Sequence, residues 1–441
     1  MATIGTTPSF EGTGCAAITA GSSLRLTTSR CSATVRTGDG STTIADVERF
    51  DAIVVGAGPA GSTTAYRLAR AGASVLLLDR ARFPRDKPCG GGLTIRAVRE
   101  LPVDVTPVVE DVVDRMELRL RYGSRYERGG SRPLVLMTQR RRLDHFLAEE
   151  AAGEGADFRD GVRAREIELG AGGVTVSFDG GRAAAAVLIG ADGANGVAAR
   201  LAGIDTGYVH GVAYEGNVAY QADEELRFRG KALIELGIVP GGYGWLFPKG
   251  DHANVGVGGW ESEGPRLRDH LQRLCRAYGI PDERVENLRG HRLPLRRAGA
   301  HPVRGRTLLV GDAAGLVDPL TGDGMYEAFV SSRLASEAIL DLLGGRAETL
   351  DPYTHALREA LAPQASASWG AKIALDRFPR TFFTLARAPY VWRVVESLMR
   401  GDVSHPGAAK GFGKAPLRLV DRLARAAGDP GRPFRAEAAQ T

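Results

Sequence analysis

The stretch from Phe50 to Asp79 constrains this chain more than any other. Phe50-Asp51-Ala52-Ile53-Val54-Val55 is a short apolar, β-branched run of the kind that forms a fully buried parallel strand. It runs into Gly56-Ala57-Gly58-Pro59-Ala60-Gly61, a GxGxxG turn, followed by a helical stretch Ser62 to Arg70 and a stop at Gly72. A second apolar strand, Ser74 to Leu78, ends at Asp79. Each position has a physical task. Gly56 permits the tight turn, Gly58 lets backbone approach a pyrophosphate, and Gly61 lets the helix pack close to the strand. The helix start presents unpaired N–H groups and the positive end of its dipole to the phosphates. Asp79 stands where it would accept hydrogen bonds from adenosine ribose hydroxyls. Pro59, Ala60 and Arg80 belong to the same expected ADP contact. The motif by itself does not separate FAD from NAD, because both carry an ADP half.

Two later segments repeat the pattern of an apolar strand feeding a glycine turn. Ala183 to Ile189 leads into Gly190-Ala191-Asp192-Gly193-Ala194-Asn195-Gly196, with Arg200 beyond. Thr307 to Val310 leads into Gly311-Asp312-Ala313-Ala314-Gly315, then Leu320-Thr321-Gly322-Asp323-Gly324-Met325 and a long helix. These resemble the GADGxxSxxR segment and the GD motif of the hydroxylase-like flavoproteins, over about residues 50 to 340. The resemblance implies that Asp192 and Gly193 underlie the cofactor, that Gly311 and Asp312 hold the ribityl chain, and that Gly322, Gly324 and Met325 open a helix aimed at the flavin N1 and C2 carbonyl. A helix N-terminus there would stabilise negative charge on the reduced ring. The family's usual Ser is Gly196 in this chain, so no hydroxyl role is assigned to it. Arg140-Arg141-Arg142-Leu143-Asp144 resembles the R-x-x-F/L-D helix start of the same proteins, which would bring Arg140 near the cofactor; a solvated helix terminus is the plainer alternative.

Two further motifs resemble the geranylgeranyl reductases. Lys87-Pro88-Cys89-Gly90-Gly91 is similar to their K-x-C-G-G segment, and Pro240-Gly241-Gly242-Tyr243-Gly244-Trp245-Leu246-Phe247-Pro248 carries their P-x-x-Y-x-W-x-F-P pattern at every fixed position. The resemblance implies an FAD-dependent reductase that saturates prenyl double bonds, with NADPH or a ferredoxin-like protein as electron donor. An isolated alkene has no carbonyl to receive electron density, so hydride from flavin N5 must be matched by a proton. Glycines after Cys89 would let backbone lie along the flavin edge, which places Gly90 and Gly91 with Cys89 among the cofactor contacts. Tyr243 and Trp245 would give rigid apolar surface to a flexible isoprenoid. Cys89, Tyr243 and Trp245 are therefore the candidate catalytic residues; Cys89 as a small buried hydrophobe, and Tyr243 and Trp245 as plain core, are the alternatives. A monooxygenase or halogenase of the same fold is the competing activity, since it would share the three FAD segments. Halogenases carry a W-x-W-x-I-P motif where this chain has Tyr243 to Pro248. A non-enzymatic flavin-binding protein is the third reading.

The expected architecture is α/β: a doubly wound FAD-binding domain (49–101, 138–205, 300–345) interleaved with an antiparallel-sheet substrate domain (102–137, 206–299) and followed by a helical region (346–428). Arg115 to Arg121, Val212 to Tyr220 and Ala232 to Val239 alternate as strands of the second sheet. Residues 1–48, crowded with Ser, Thr, Gly and Ala, read as a disordered extension with some transit-peptide character, and 429–441 as a disordered tail. The net charge of +5 is spread along the chain, without a zinc-finger or aromatic-rich basic motif, so no nucleic-acid partner is expected. Cys15, Cys31, Cys89 and Cys275 form no CxxC pair, which points away from a metal site and towards a reducing cytoplasm. The helical tail, with Phe382, Phe383, Tyr390 and Trp392 and then Arg interleaved through Leu417 to Arg425, could cap the cavity or rest on the cytoplasmic face of a membrane holding the prenylated substrate.

Overall fold

A computed structural model describes residues 31–36, 42–130, 132–170, 172–206, 209–221, 224–295, 299–408 and 414–427. The chain builds its first sheet around the strand Thr42–Val55. That strand runs parallel to Val75–Leu78 on one side and to Gly181–Gly190 on the other, so that Val55 stands between Leu78 and Gly190. Asp157–Arg159 and Thr307–Leu309 extend the parallel core. Ile53, Val54, Leu76, Leu77 and Leu78 have no exposed surface, as strands covered on both faces require. Helices Pro59–Arg70, Arg140–Gly153 and Met325–Leu343 contribute Leu68, Ala151 and Ile339 to the core on one face. On the other face the cover is a β-ribbon, Ala164–Leu169 with Val174–Phe178, packed through Val174, Val176 and Phe178. The helix after the glycine turn starts at Pro59 and not at Ser62, because proline at the first helical position lacks only an N–H that would be unpaired anyway.

The second sheet has seven strands in the order Glu286–Leu295, Val209–Ala219, His252–Trp260, Tyr243–Pro248, Lys231–Leu236, Arg115–Leu120, Arg125–Gly129. It differs from the expected all-antiparallel sheet at one joint. Lys231–Leu236 and Arg115–Leu120 are parallel, with Leu236 opposite Leu120. These two strands come from separate excursions out of the first domain, so no hairpin forces them to run in opposite directions. Helix Leu267–Ala277 closes a core beneath this sheet through Leu271 and Leu274.

The tail is helical, as Asp351–Arg377, Pro379–Ala386, Pro389–Arg400 and Lys414–Ala426. No helix among the described residues is long and apolar enough to cross a membrane. The extension expected to be disordered over 1–48 is strand where it is described: Cys31–Arg36 pairs antiparallel with Thr42–Val47. This ribbon prolongs the central strand backwards, and its Thr, Val and Ile content favours extended backbone. The rest of that extension and the tail 429–441 lie outside the described residues.

Candidate active site

The three cofactor segments meet. Gly56 has φ +108°, and a Cβ on it would lie 2.4 Å from the carbonyl oxygen of Ala191, so the first glycine turn is pressed against the start of the second. Gly61 allows the helix to sit on that turn, since its Cβ would lie 1.8 Å from Gly56 O. Asp79 is buried and clamps the same turn: its Oδ2 accepts from Ala57 N–H at 2.8 Å and its Oδ1 from Ala81 N–H at 2.9 Å. Arg80, next along, lines the cavity.

Arg140 is buried beside this cradle and not on a solvated helix end. Its Nε and Nη2 donate to Asp144 at 2.6 and 2.8 Å, and Arg85 Nη1 donates to the same carboxylate at 2.8 Å. Both guanidiniums face the open side of Gly58, 3.6 and 3.9 Å from where its Cβ would be. Both are already paired, Arg85 also reaching Asp79 Oδ2 at 3.5 Å, so what they would offer a pyrophosphate is charged N–H donors at the open side of the turn.

Asp192 turns its Oδ2 to the N–H groups of Val197 and Ala198, at 2.6 and 2.9 Å. A Cβ at Gly196 would lie 2.1 Å from the other oxygen of that carboxylate, so the turn as folded here leaves no room for a side chain at this position. Gly193 follows at φ +77° in the cavity wall. Asp312 receives the Lys87 ammonium at 3.0 Å. Burial opposes the Asp312 charge, but Lys87, with Arg140 near, outweighs it and holds the carboxyl below its usual range. Gly311, at φ +57°, packs on Ala60. Gly322 (φ +65°) and Gly324 lead into the helix at Met325, whose N–H donates to Asp323 Oδ1 at 2.9 Å.

The two remaining motifs are packed on each other. A Cβ at Gly90 would lie 2.8 Å from the Phe247 ring, and one at Gly91 would lie 2.0 Å from Thr138 O. Trp245 is buried, stacks on Phe247 at 6.1 Å between centroids and donates its Nε1–H to Asn254 Oδ1 at 2.8 Å. Gly256 leaves the space its indole fills. Tyr243 meets Trp245 edge-on at 6.0 Å, and its hydroxyl donates to Thr321 O, tying the second sheet to the loop before Met325. Cys89 is a half-buried free thiol. Its N–H donates to Glu215 Oε1 at 2.6 Å, and its Sγ accepts from Gly91 N–H at 3.4 Å.

Sequence reading did not assign Arg85, Asp144, Glu215, Lys249 or His291. Lys249 directly follows the aromatic motif and is buried; its Nζ donates to Gly90 O and to Thr138 O. Burial pulls its ammonium down to about 8 and pushes the Glu215 carboxyl up to about 7. Burial, with Lys87, lowers His291 to about 4, so it is neutral at neutral pH. A cavity of about 1220 Å³ connects these parts. It runs from Pro59 and Arg80 past Asp312 and the Cys89 turn to an apolar end at Tyr126, Leu385, Trp392 and Leu398.

Residues 49–366 match the FAD binding domain family. Over 311 residues, 66% of this chain and 76% of the other, the chain is 34% identical to the menaquinone reductase of Mycolicibacterium smegmatis. It is 30% identical to the chloroplastic geranylgeranyl diphosphate reductase of Oryza sativa subsp. japonica over 362 residues, 76% of this chain and 75% of the other. The chain belongs to the geranylgeranyl reductase family of FAD-dependent oxidoreductases.

The fold of this reductase agrees with that of a geranylgeranyl bacteriochlorophyll reductase-like protein from Thermoplasma acidophilum, at a TM-score of 0.70, 20% identity and coverage of 89% and 99% of the two chains. The halogenase PltM, in a structure with phloroglucinol and FAD, shares the fold at a TM-score of 0.65 and 16% identity, covering 89% of this chain and 94% of its own. The residues of the cradle fit FAD: backbone and two guanidiniums would face the pyrophosphate, Asp79 and Arg80 the adenosine, Asp312 the ribityl chain, and the helix start at Met325 the flavin ring.

Proposed function

We propose that this reductase saturates carbon–carbon double bonds of a geranylgeranyl or other polyprenyl group, taking its electrons from NADPH or a ferredoxin-like carrier. One observation carries the reading: the Cys89-Gly90-Gly91 turn and the Tyr243, Trp245 and Phe247 wall pack together where the FAD cradle opens into an apolar chamber. Bound FAD, once reduced, supplies hydride at N5. The chain's own residues do the rest. Trp245 and Phe247, held by Asn254 and by each other, offer a flat and rigid surface against which a flexible prenyl chain loses its freedom before reaction. The aliphatic and aromatic end of the chamber excludes water from the alkene. Polar groups are few there, as an apolar chain requires. The cavity also reaches Arg418 and Val420 on the last helix, which suits delivery of a lipid substrate from a membrane surface on the cytoplasmic side.

Cys89 is the proposed proton donor to the alkene carbon that does not receive hydride. Cys89→Ser is expected to lower turnover by about 100-fold, the lower end of what a positioned proton donor contributes, with FAD content unchanged. Turnover equal to wild type would remove the thiol from the mechanism.

The whole reading is tested on purified protein. Its yellow chromophore is released and identified, the loaded enzyme is reduced without oxygen, and geranylgeranyl diphosphate or a prenylquinone is added while product mass is followed. A gain of two mass units for each bond reduced is the expected result. An untouched prenyl chain, with hydroxylation or halogenation of another substrate in oxygen, would overturn it.

A further inference from the structure

The Cys89 thiol can give away one proton and must then recover it. A buried carboxyl, that of Glu215, accepts the backbone N–H of Cys89 at 2.6 Å. Glu215 lies on Val209–Ala219, opposite Gly256 on one side and Arg289 on the other. The register with Glu286–Leu295 slips between Glu215 and Asn217, an irregularity of the sort that re-aims a side chain next to a site. Glu215 is 8% exposed, and the surface it keeps lines the cavity beside Cys89 and Gly90. A buried carboxylate ordinarily has a cation paired to it. The cations around Glu215 are committed elsewhere. Lys249 Nζ donates to Gly90 O and Thr138 O, Arg289 Nη1 donates to Asp86 at 2.8 Å, and Lys87 holds Asp312 at 3.0 Å. His291 is kept neutral by its burial and by Lys87. What Glu215 does have is the Cys89 N–H at 2.6 Å and the Asn254 side chain.

Building on the reading of Cys89 above, we propose that Glu215 is the proton reservoir of the reaction, its carboxyl held against the Cys89 turn so that it restores the thiol after each turnover. The transfers balance. One alkene carbon takes the hydride, with its electron pair, from the reduced flavin. The π pair bonds the other carbon to the proton leaving Cys89 Sγ. The thiolate takes the Glu215 proton, and the carboxylate recovers one from water. Carboxyls are ordinarily stronger acids than thiols, so the middle transfer runs downhill. The surroundings keep this acid loaded: burial first, and Asp86 as a like charge, raise it to about 7, against the opposing effects of Cys89 N–H, Lys249 and Asn254. Its protonated form is therefore present below about pH 7 and is lost as pH rises through that value.

Glu215→Gln separates the role from mere support, because the amide oxygen still accepts the Cys89 N–H but carries no transferable proton. The full chain, loaded with FAD, is measured in two ways. Steady-state reduction of a prenylated substrate that wild type converts is expected to fall about 100-fold, and the decline of rate through pH 7 is expected to vanish. Independently of turnover, alkylation of Cys89 by iodoacetamide is followed at its own peptide against pH. A carboxylate beside a thiol disfavours the thiolate, so its removal is expected to move the midpoint to lower pH. A steady-state rate within threefold of wild type, or an unmoved alkylation midpoint, would overturn the proposal. If wild type converts no prenyl substrate at all, the proposed function fails, while the alkylation midpoint still decides whether Glu215 and Cys89 are coupled.

Discussion

Gly91→Ala is expected to lower turnover by about 100-fold while leaving FAD bound. Gly91 sits at φ +71°, where a side chain costs roughly 1–2 kcal/mol, and its methyl group would lie 2.0 Å from Thr138 O and 2.1 Å from Lys249 Nζ. Neither neighbour can yield cheaply. Thr138 N–H is bonded to Gly91 O at 2.8 Å, so the two backbones are tied, and Thr138 O is also a partner of the buried Lys249 ammonium. Overpacking of this sort adds about 1–3 kcal/mol, and an ammonium driven from its carbonyls adds more. The turn must therefore shift, taking with it Cys89 and the Gly90 backbone that lies on Phe247. A displacement near 1 Å at a reacting group can lower a rate about 100-fold. The glycine turn at Gly56 and the Asp312 loop are built from other segments, so flavin content stays near that of wild type. The check is the ratio of flavin to protein absorbance beside the rate of substrate-dependent flavin reoxidation. A variant as active as wild type, or one that loses turnover only because it loses FAD, would show that the turn is not the reaction site.

The second large effect is at Gly61. Gly61→Val is expected to yield protein with less than a tenth of its sites holding FAD. The first branch atom would lie 1.8 Å from Gly56 O and 3.0 Å from the Ala191 methyl group, and Gly56 is itself fixed by its N–H bond to Leu78 O at 2.7 Å. The helix Pro59–Arg70 would have to lift from the sheet, turning its free N–H groups away from the pyrophosphate. Loss of that anchoring is expected to weaken FAD by at least about 3 kcal/mol, or 100-fold. Gly72→Ala is the control. Gly72 has φ +92° but nothing within 4 Å of its would-be Cβ, so only backbone strain is added and the flavin stays. Yellow, fully loaded Gly61→Val protein would show that the close approach of helix to turn is not what seats the cofactor.

The cofactor cradle was legible in the sequence because each of its parts is a short contiguous segment. A strand, a glycine turn and a helix start set the geometry at Gly56, Gly311 and Gly324 through backbone conformation alone. The aromatic motif was legible for a similar reason, since alternation along one strand puts Tyr243, Trp245 and Phe247 on the same face. Arg140 was ambiguous. Three consecutive arginines look like a solvated helix terminus, and only packing shows that Arg140 is buried with Arg85 against Asp144.

By itself, then, the sequence determined the fold class, the FAD segments and the two motifs of the reductase family. Tertiary structure decided who stands behind Cys89. Glu215 is separated from it by 126 residues and Lys249 from Gly90 by 159, and neither belongs to a periodic pattern that distinguishes it from any other charged residue on a strand. Their meeting depends on sheet register, on the slip after Glu215, and on the glycines that let one backbone lie against another. Local patterns encode backbone shape. The acidity of a carboxyl is set by how much water is excluded around it and by the charges and donors packed against it, and both are properties of the packed fold.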